Sequence, residues 1–275
     1  MAELFARMRR SPQGLIGLIL VGLMLLVVVA GPWLAPFDPE TFAPLQRYKG
    51  PSAAHWLGTD QYGRDILSRL LIGARATVLM AVLASLLGTI AGAVLGTTSA
   101  YLGGRADEAI MRTVDAVMSI PSLLMALLIV TLLGKNSANA LLAIAIAFTP
   151  GMARVTRSVA LAVRKQEYVA AAIARGESAW YIVRREMLPN VIAPIVVEMT
   201  IRVAFAVMLF ATLSFLGLGA QPPKPEWGLM VSESRRFMHL SPWMIVWPSL
   251  AIATVAIGFN LLGDGLRDAL NPRTS

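Results

Sequence analysis

The sequence predicts an all-α membrane protein with six transmembrane helices and a cytoplasmic helical segment between the fourth and fifth spans. Three observations predict this class. Of the 275 residues, 56% are hydrophobic and only 15% are charged, whereas a soluble domain carries about 25% charged residues. Several apolar runs approach the roughly 20 residues that a helix needs to cross a bilayer. The charged residues are concentrated between those runs.

The first apolar run covers residues 14–34 and predicts the first span. A cleaved signal peptide would have an apolar region of roughly 7–15 residues followed by a small-residue cleavage site. This run is longer, and no such site follows it cleanly. We therefore expect an uncleaved span, preceded by a cytoplasmic N-terminal segment, 1–13.

The polar stretch after the first span predicts an amphipathic helix at the membrane surface. Thr59 can cap a helix that begins at Asp60. Two acid–base pairs follow at a spacing of four residues with the acid first, which is the favourable order. These pairs are Asp60–Arg64 and Asp65–Arg69.

Five further runs predict the remaining spans. They cover residues 76–100, 114–133, 138–153, 190–217 and 243–263. Pro150 interrupts the fourth span, and proline kinks a helix by removing a backbone hydrogen bond, which a helical bundle tolerates. The result is one six-span domain, 14–275, with an external segment, 36–73, and a cytoplasmic loop, 154–189.

The net charge of +8 indicates orientation in a membrane rather than binding to nucleic acid, because the basic residues alternate with apolar runs. With the N-terminus inside, six spans place the C-terminus inside as well. The cytoplasmic segments then hold fourteen Lys and Arg residues and the external segments nine, with Arg202 inside a span. This bias has the sign expected of a membrane protein.

Few catalytic or metal-binding groups are available. The chain has no cysteine and two histidines, and His55 and His239 are too far apart in sequence to form a recognisable metal motif. No G-x-x-x-x-G-K-[ST] sequence is present to hold nucleotide phosphates. We therefore expect no catalytic residues, no metal and no cofactor bound by this chain.

The segment 154–189 predicts two short helices at the membrane face. Alanines near its middle are strong helix formers. Gly176 can end the first helix in a left-handed conformation, and Ser178 can cap the second. Pro189 then lets the fifth span begin afresh. Such a segment either covers the bundle or offers a close contact to another protein.

Several motifs resemble those of ATP-binding-cassette importer permeases. Within 154–189, Ala171-Ala172, Gly176 and Leu188-Pro189 resemble the "EAA loop" of these permeases. The segment HWLGTDQYGRDILSRLLIGARATVLMAV resembles the one that marks the dipeptide, oligopeptide and nickel permease family. YLGGRADEAIMRTVDAVMSIP and SFLGLGAQPPKPEWGLMV match that family too. The short first external loop is similar to the C-type subunit of the permease pair.

The resemblance implies that this loop forms a coupling helix seated on a cytoplasmic ATPase subunit, which binds ATP and Mg²⁺. It also implies a second, related permease, an external solute-binding protein and a bacterial inner membrane location with both termini cytoplasmic. The residues implied at the ATPase contact are Glu167, Ala170, Ala171, Ala172, Gly176, Leu188 and Pro189.

This sequence departs from the family motif at one position, because Ala170 replaces the motif's glutamate. We hypothesise that Glu167, three residues earlier on the same helical face, substitutes for it. The alternative is simple loss of that ion pair.

Charged residues inside predicted spans are candidates for the translocation path or its gate, because charges in lipid usually face a bundle interior. Glu198 and Arg202 are four residues apart and are either such an element or a self-neutralising structural pair. Asp115 lies near Arg112 at the cytoplasmic end of a span, where it could also be a boundary residue.

The external stretch after the fifth span combines prolines and a tryptophan. It is either an interfacial anchor or a surface that docks the binding protein or closes the outer gate. The residues concerned are Pro222, Pro223, Pro225 and Trp227.

The sequence therefore predicts a permease subunit of an ATP-driven importer, translocating di- or oligopeptides. The alternatives are an importer of nickel or another small solute, an ion-gradient-driven secondary transporter and an intramembrane enzyme. The last two would need midplane ion sites or catalytic side chains at reaction geometry.

Overall fold

The structure is a computed structural model that describes residues 8, 9 and 11–270. Most of the predicted N-terminal segment 1–13, and the last five residues, lie outside this part of the chain. The described residues form helices joined by loops, with no strand among them. The helices are α1 (Pro12–Leu34), α2 (Ile66–Leu102), α3 (Gly104–Met118), α4 (Ser122–Leu133), α5 (Ser137–Arg164), α6 (Glu167–Ala174), α7 (Ala179–Phe215), α8 (Trp227–Ser234) and α9 (Trp243–Leu270).

The all-α, six-span prediction is confirmed when the bent pair α3–α4 counts as one span. Five helices are long and apolar enough to cross a membrane by themselves, namely α1, α2, α5, α7 and α9. Between α3 and α4 the chain bends by 86°. α2, α5 and α7 lie at the centre of the bundle, while α1 and α9 pack against each other and against these central helices.

The third span was predicted as one helix over 114–133, but the chain bends within this range and its first residues belong to a different helix. Helix α3 ends at Met118, and α4 contains 12 residues, or roughly 18 Å against about 30 Å of hydrocarbon. The bend precedes Pro121, and proline disfavours helical conformation in the residue before it. Residues 114–118 therefore belong to the charged helix α3.

The predicted fourth span, 138–153, is too short. Helix α5 continues through Pro150 to Arg164, so the non-helical part of the predicted loop 154–189 begins only after Arg164. Proline is tolerated inside a helix that neighbouring helices hold in place, and α5 packs closely against α2.

Three glycines spaced four residues apart on α2 explain this close packing. A Cβ atom added at Gly88 or at Gly92 would lie 2.7 Å from a carbonyl oxygen of α5, and one at Gly96 would lie 2.9 Å from a backbone nitrogen. Small residues at this spacing let two membrane helices approach to backbone contact. The interface therefore depends on the absence of side chains at these positions.

The predicted amphipathic helix from Asp60 is wrong. Helix α2 begins at Ile66 and runs without a break to Leu102, and its cap is Asp65, whose Oδ2 accepts the N–H of Ser68 at 2.8 Å. Gly63 adopts φ +78°, which is incompatible with a right-handed helix. Asp60 instead stabilises this turn.

Asp60 accepts the backbone N–H groups of Tyr62 (2.8 Å) and Arg64 (2.9 Å). Thr59, the predicted cap, donates its hydroxyl to the carbonyl oxygen of Gln46 and accepts the N–H of Lys49 at 3.0 Å. Local turn contacts thus replace the predicted first helical turn.

A buried ion network joins this segment to α8. The predicted Asp60–Arg64 pair is confirmed at 2.6 Å. Arg69 pairs with Glu233 (3.4 Å) and Asp60 (3.7 Å) rather than forming the predicted pair with Asp65. Arg64 also contacts Glu233, at 3.0 Å. The network therefore holds the polar segment before α2 and the start of α2 against α8.

Candidate functional site

Helix α6 is anchored on one side to the bundle. Val169 and Ala172, three residues apart on one helical face, are both fully buried. They share a hydrophobic cluster with Ile182 and Met187, which belong to the first part of α7. Helix α6 is therefore packed directly against the first part of α7.

The predicted turn between the two short helices of 154–189 is confirmed, with Gly176 and Ser178 in their predicted roles. Gly176 adopts φ +76° directly after α6, and the N–H of Glu177 donates to the carbonyl oxygen of Ala172 at 3.2 Å. This is the left-handed glycine ending of a helix. Ser178 then caps α7, since its Oγ accepts the N–H of Tyr181 at 3.2 Å.

Pro189 lies in the first turn of the α-helical part of the fifth span, Leu188–Phe215, where that helix was predicted to start, but no break precedes it. α7 runs from Ala179 into the span through a π-helical segment, Ile182–Met187. In an ordinary α-helical turn, the ring of Pro189 would clash with the carbonyl of Arg185, and the wider π turn lies where that clash would occur. The second helix of the cytoplasmic loop and the fifth span are consequently one continuous helix, Ala179–Phe215.

The outer face of α6 and the following turn form an exposed surface that we call the α6 face. Its core is formed by Glu167, Ala170 and Ala171, all exposed. Large apolar side chains surround them, with Ile173 50% and Trp180 64% exposed. Clustered exposed apolar side chains mark protein contacts, and the alanines leave room for a partner's backbone to approach.

Two of the residues that the resemblance implies at the ATPase contact are not freely exposed. Ala172 is fully buried against the bundle, so it positions α6 and cannot contact another chain. Leu188 is partly buried and packs against the same cluster. Gly176 and Pro189 are exposed. Glu167 forms no ion pair with any residue that the structure describes.

The charged candidates inside the spans are paired. Glu198 Oε1 and the Arg202 guanidinium lie 3.0 Å apart on α7. Asp115 pairs with Arg154 of α5 rather than with its neighbour Arg112. Asp115 thus connects α3 to α5.

A cavity of about 430 Å³ lies beside Arg202, between α4, α5 and α7. Sequence reasoning did not find it, because its walls come from three helices that are distant in sequence. Its lining residues are Ser122, Leu123, Phe148, Arg202, Phe205, Met208, Leu209 and Thr212.

The external candidates separate into two groups. Pro222 and Pro223 are exposed and remain candidates for docking. Pro225 is buried and Trp227 is 1% exposed, with the Trp227 indole N–H donated to the carbonyl oxygen of Leu70 at 3.0 Å. Pro225 and Trp227 therefore do not belong to a docking surface, because they are buried where α8 packs into the core.

Comparison with known proteins identifies the class. Residues 84–275 match the family described as "Binding-protein-dependent transport system inner membrane component". The chain belongs to this family and is a multi-span inner membrane permease of the ATP-binding-cassette importer type. Residues 1–51 match the N-terminal transmembrane domain of oligopeptide transport permease C, which identifies the chain as a C-type permease.

Curated relatives agree with this assignment. The chain is 41% identical to the probable D,D-dipeptide transport system permease protein of Escherichia coli, over 99% of this chain and 91% of that protein. It is 40% identical to a dipeptide transport system permease of Alkalihalophilus pseudofirmus (98% and 89%). It is 41% identical to a glutathione transport system permease of Pectobacterium atrosepticum (93% and 86%).

A solved structure shares the fold. An inward-facing form of the MetNI methionine ABC transporter aligns with 74% of this chain and 96% of its own, with a TM-score of 0.58 and 17% identity. Taken together, the comparisons favour the importer over the ion-gradient-driven transporter and the intramembrane enzyme.

Proposed function

We propose that this permease translocates di- or oligopeptides that an external solute-binding protein delivers. The supporting observation is that the relatives above are named for D,D-dipeptide, dipeptide and glutathione transport, and all three solutes are small peptides. An importer of nickel or another small solute is the alternative within the same family.

The energy for transport comes from partner subunits in this proposal. The α6 face docks in a groove on a cytoplasmic ATPase subunit, which binds ATP and Mg²⁺, while this chain binds neither and hydrolyses nothing. When two ATPase subunits close, α6 is displaced with them. Because Val169 and Ala172 are packed against α7, that displacement reorients a membrane-spanning helix.

The assembly contains a second, related permease, so that two α6 faces meet two ATPase subunits. Both termini of this chain and the α6 face lie in the cytoplasm of a bacterium, in keeping with the excess of Lys and Arg in those segments. The exposed Pro222 and Pro223 face the binding protein. Glu198, Arg202 and Asp115 belong to the path or its gate.

Glu167 has a specific role in this interface. It replaces the family's glutamate, which is Ala170 here, because it is exposed on the same helical face and has no ion-pair partner among the described residues. A basic side chain on the ATPase is its expected partner.

The test is ATP-driven uptake by the complete importer in proteoliposomes. Ala171→Arg places a long cation on the α6 face, and we expect co-purification of the ATPase and uptake to fall at least tenfold. Glu167→Lys reverses one exposed charge, and an exposed pair contributes about 0–1 kcal/mol. We therefore expect a fall of up to about fivefold, reversed in part by Ala170→Glu in the same chain.

Ala109→Arg is the matched control, because Ala109 is an exposed alanine on α3, away from the α6 face. It should leave uptake unchanged. Unaltered coupling in Ala171→Arg would refute docking at this face, and unaltered coupling in Glu167→Lys would refute the role of Glu167 alone.

A further inference from the structure

We propose that the cavity between α4, α5 and α7 is a solute subsite on the translocation path, in which Arg202 binds the carboxylate of the transported peptide. This inference rests on the proposed function, since it names a chemical contact for the solute of that same importer.

The cavity has the composition of a small-molecule site. Its volume of about 430 Å³ lies within the roughly 300–1,000 Å³ typical of ligand pockets. Phe148, Phe205 and Met208 give it apolar walls. Arg202 is the charged residue among those that line it, and the hydroxyls of Ser122 and Thr212 add polar groups. An apolar cavity with a few polar groups is the usual form of a binding site.

Arg202 retains hydrogen-bonding capacity. Its guanidinium carries five N–H donors. One terminal nitrogen contacts Glu198 at 3.0 Å. The Nε–H is buried and has no acceptor among the residues that the structure describes. The pair with Glu198 leaves this donor without a partner, so the guanidinium has capacity for a second acceptor.

The surroundings hold the guanidinium at the cavity wall. Arg202 lies about 20 Å from the end of α7, at a depth where charges are costly and mark solute pathways. The Phe148 ring centroid is 5.7 Å from the guanidinium carbon, a cation–π distance. A side chain at Gly151 would crowd the group, because a Cβ there would lie 3.0 Å from a terminal nitrogen.

Charge complementarity selects a carboxylate as the occupant. An arginine fork matches a carboxylate in two parallel hydrogen bonds, and the aromatic walls accept an apolar side chain of the peptide. Glu198 lines a neighbouring cavity of about 440 Å³ that also contains Arg267. A peptide carboxylate that takes the place of Glu198 at Arg202 adds one negative charge, and Arg267, which lines the same neighbouring cavity as Glu198, supplies a positive charge near the displaced carboxylate.

The experiment compares a peptide with its C-terminal amide in the complete reconstituted importer. Uptake of Ala-Phe and of Ala-Phe amide is measured at equal loading of the binding protein. We expect wild type to carry the acid faster, by a factor on the order of ten, the worth of one hydrogen-bonded charge. Arg202→Met should remove that advantage and leave the amide rate within about twofold. Arg202→Lys should restore part of it.

The control is Arg112→Met, which removes an exposed arginine of α3 and should change neither rate. If Arg202→Met weakens assembly, Ser122→Asp provides the second test, because it adds a carboxylate to the same cavity. It should slow the acid more than the amide. An equal effect of either variant on acid and amide overturns the subsite.

Failure of the proposed function gives a different result, since wild-type importer would then show no ATP-dependent uptake of either peptide. Normal uptake by wild type with no selective effect at Arg202 or Ser122 would leave the proposed function in place and remove only the subsite.

Discussion

Glu226 shows how one side chain can join two helices of this bundle. It is fully buried and accepts hydrogen bonds from the N–H groups of Gly228 (3.0 Å) and Leu229 (2.8 Å) and from the Thr77 hydroxyl (2.9 Å). It therefore caps α8 and ties that helix to α2. Burial raises the pKa of Glu226 above the ordinary glutamate value, while these hydrogen bonds oppose the shift.

Removing this carboxylate should destabilise the protein. Glu226→Ala loses a helix cap, worth about 1 kcal/mol, and leaves the buried Thr77 hydroxyl without its acceptor. We expect a loss of roughly 2–3 kcal/mol in all, measured as a lower thermal midpoint in detergent. Glu226→Gln, which keeps the size and one acceptor, should lose less. Equal midpoints for wild type and Glu226→Ala would contradict this role.

The pH dependence has a definite sign. Because the pKa of Glu226 is raised in the folded state, its protonated form stabilises the fold below the ordinary glutamate pKa. That contribution is lost as the pH rises through the folded-state value. Glu226→Gln does not titrate, so the midpoint of wild type relative to Glu226→Gln should decrease with rising pH over the same range.

At the scale of elements, the contact between α2 and α5 depends on glycine. Gly92→Leu would push a side chain into the backbone of Thr149, whose carbonyl oxygen lies 2.7 Å from the position that a Cβ atom would occupy. We expect the helices to separate, with a loss of about 3 kcal/mol, the upper end of what overpacking typically costs, and reduced recovery of folded protein. Gly22→Leu is the control, because a Cβ at Gly22 would meet no packed neighbour within 4 Å. If both variants were equally stable, backbone contact would not hold this pair together.

Long apolar runs and local turn chemistry were sufficient to predict much of this fold. The six-span class and the turn at Gly176 and Ser178 follow from properties that a short window of sequence contains. Prolines were less predictable, because their effect depends on neighbouring helices. Pro121 coincides with a sharp bend, whereas Pro150 lies inside the continuous helix α5.

The candidate site was predictable to a similar degree. The exposure of Glu167 and Ala171 agrees with the predicted surface helix. The burial of Ala172 and Trp227 did not follow from sequence, because an eight-residue helix gives too few positions to identify its buried face. The pairing of Asp115 with Arg154 and the cavity beside Arg202 depend on tertiary contacts between helices.

At the scale of the whole molecule, two buried clusters divide the bundle. One contains residues of α1, α2, α4, α5, α7, α8 and α9. The other lies at the end that carries α6 and joins it to α2, α5 and α7. The three central helices belong to both clusters. A force applied at the α6 face therefore has a direct packed route to the end that carries α8, and this route is useful only if those two ends face opposite sides of the membrane.

Opposite sidedness can be tested because the chain contains no cysteine, so a single introduced thiol is unique. Ala174→Cys on α6 and Ala54→Cys in the segment before α2 both replace exposed alanines, which should preserve the fold. In intact cells, a membrane-impermeant maleimide should label Ala54→Cys and leave Ala174→Cys unlabelled until the membrane is permeabilised. The two variants control for each other's reactivity. Labelling of Ala174→Cys from outside would place the α6 face away from any ATP-driven subunit, and the coupling mechanism could then not operate.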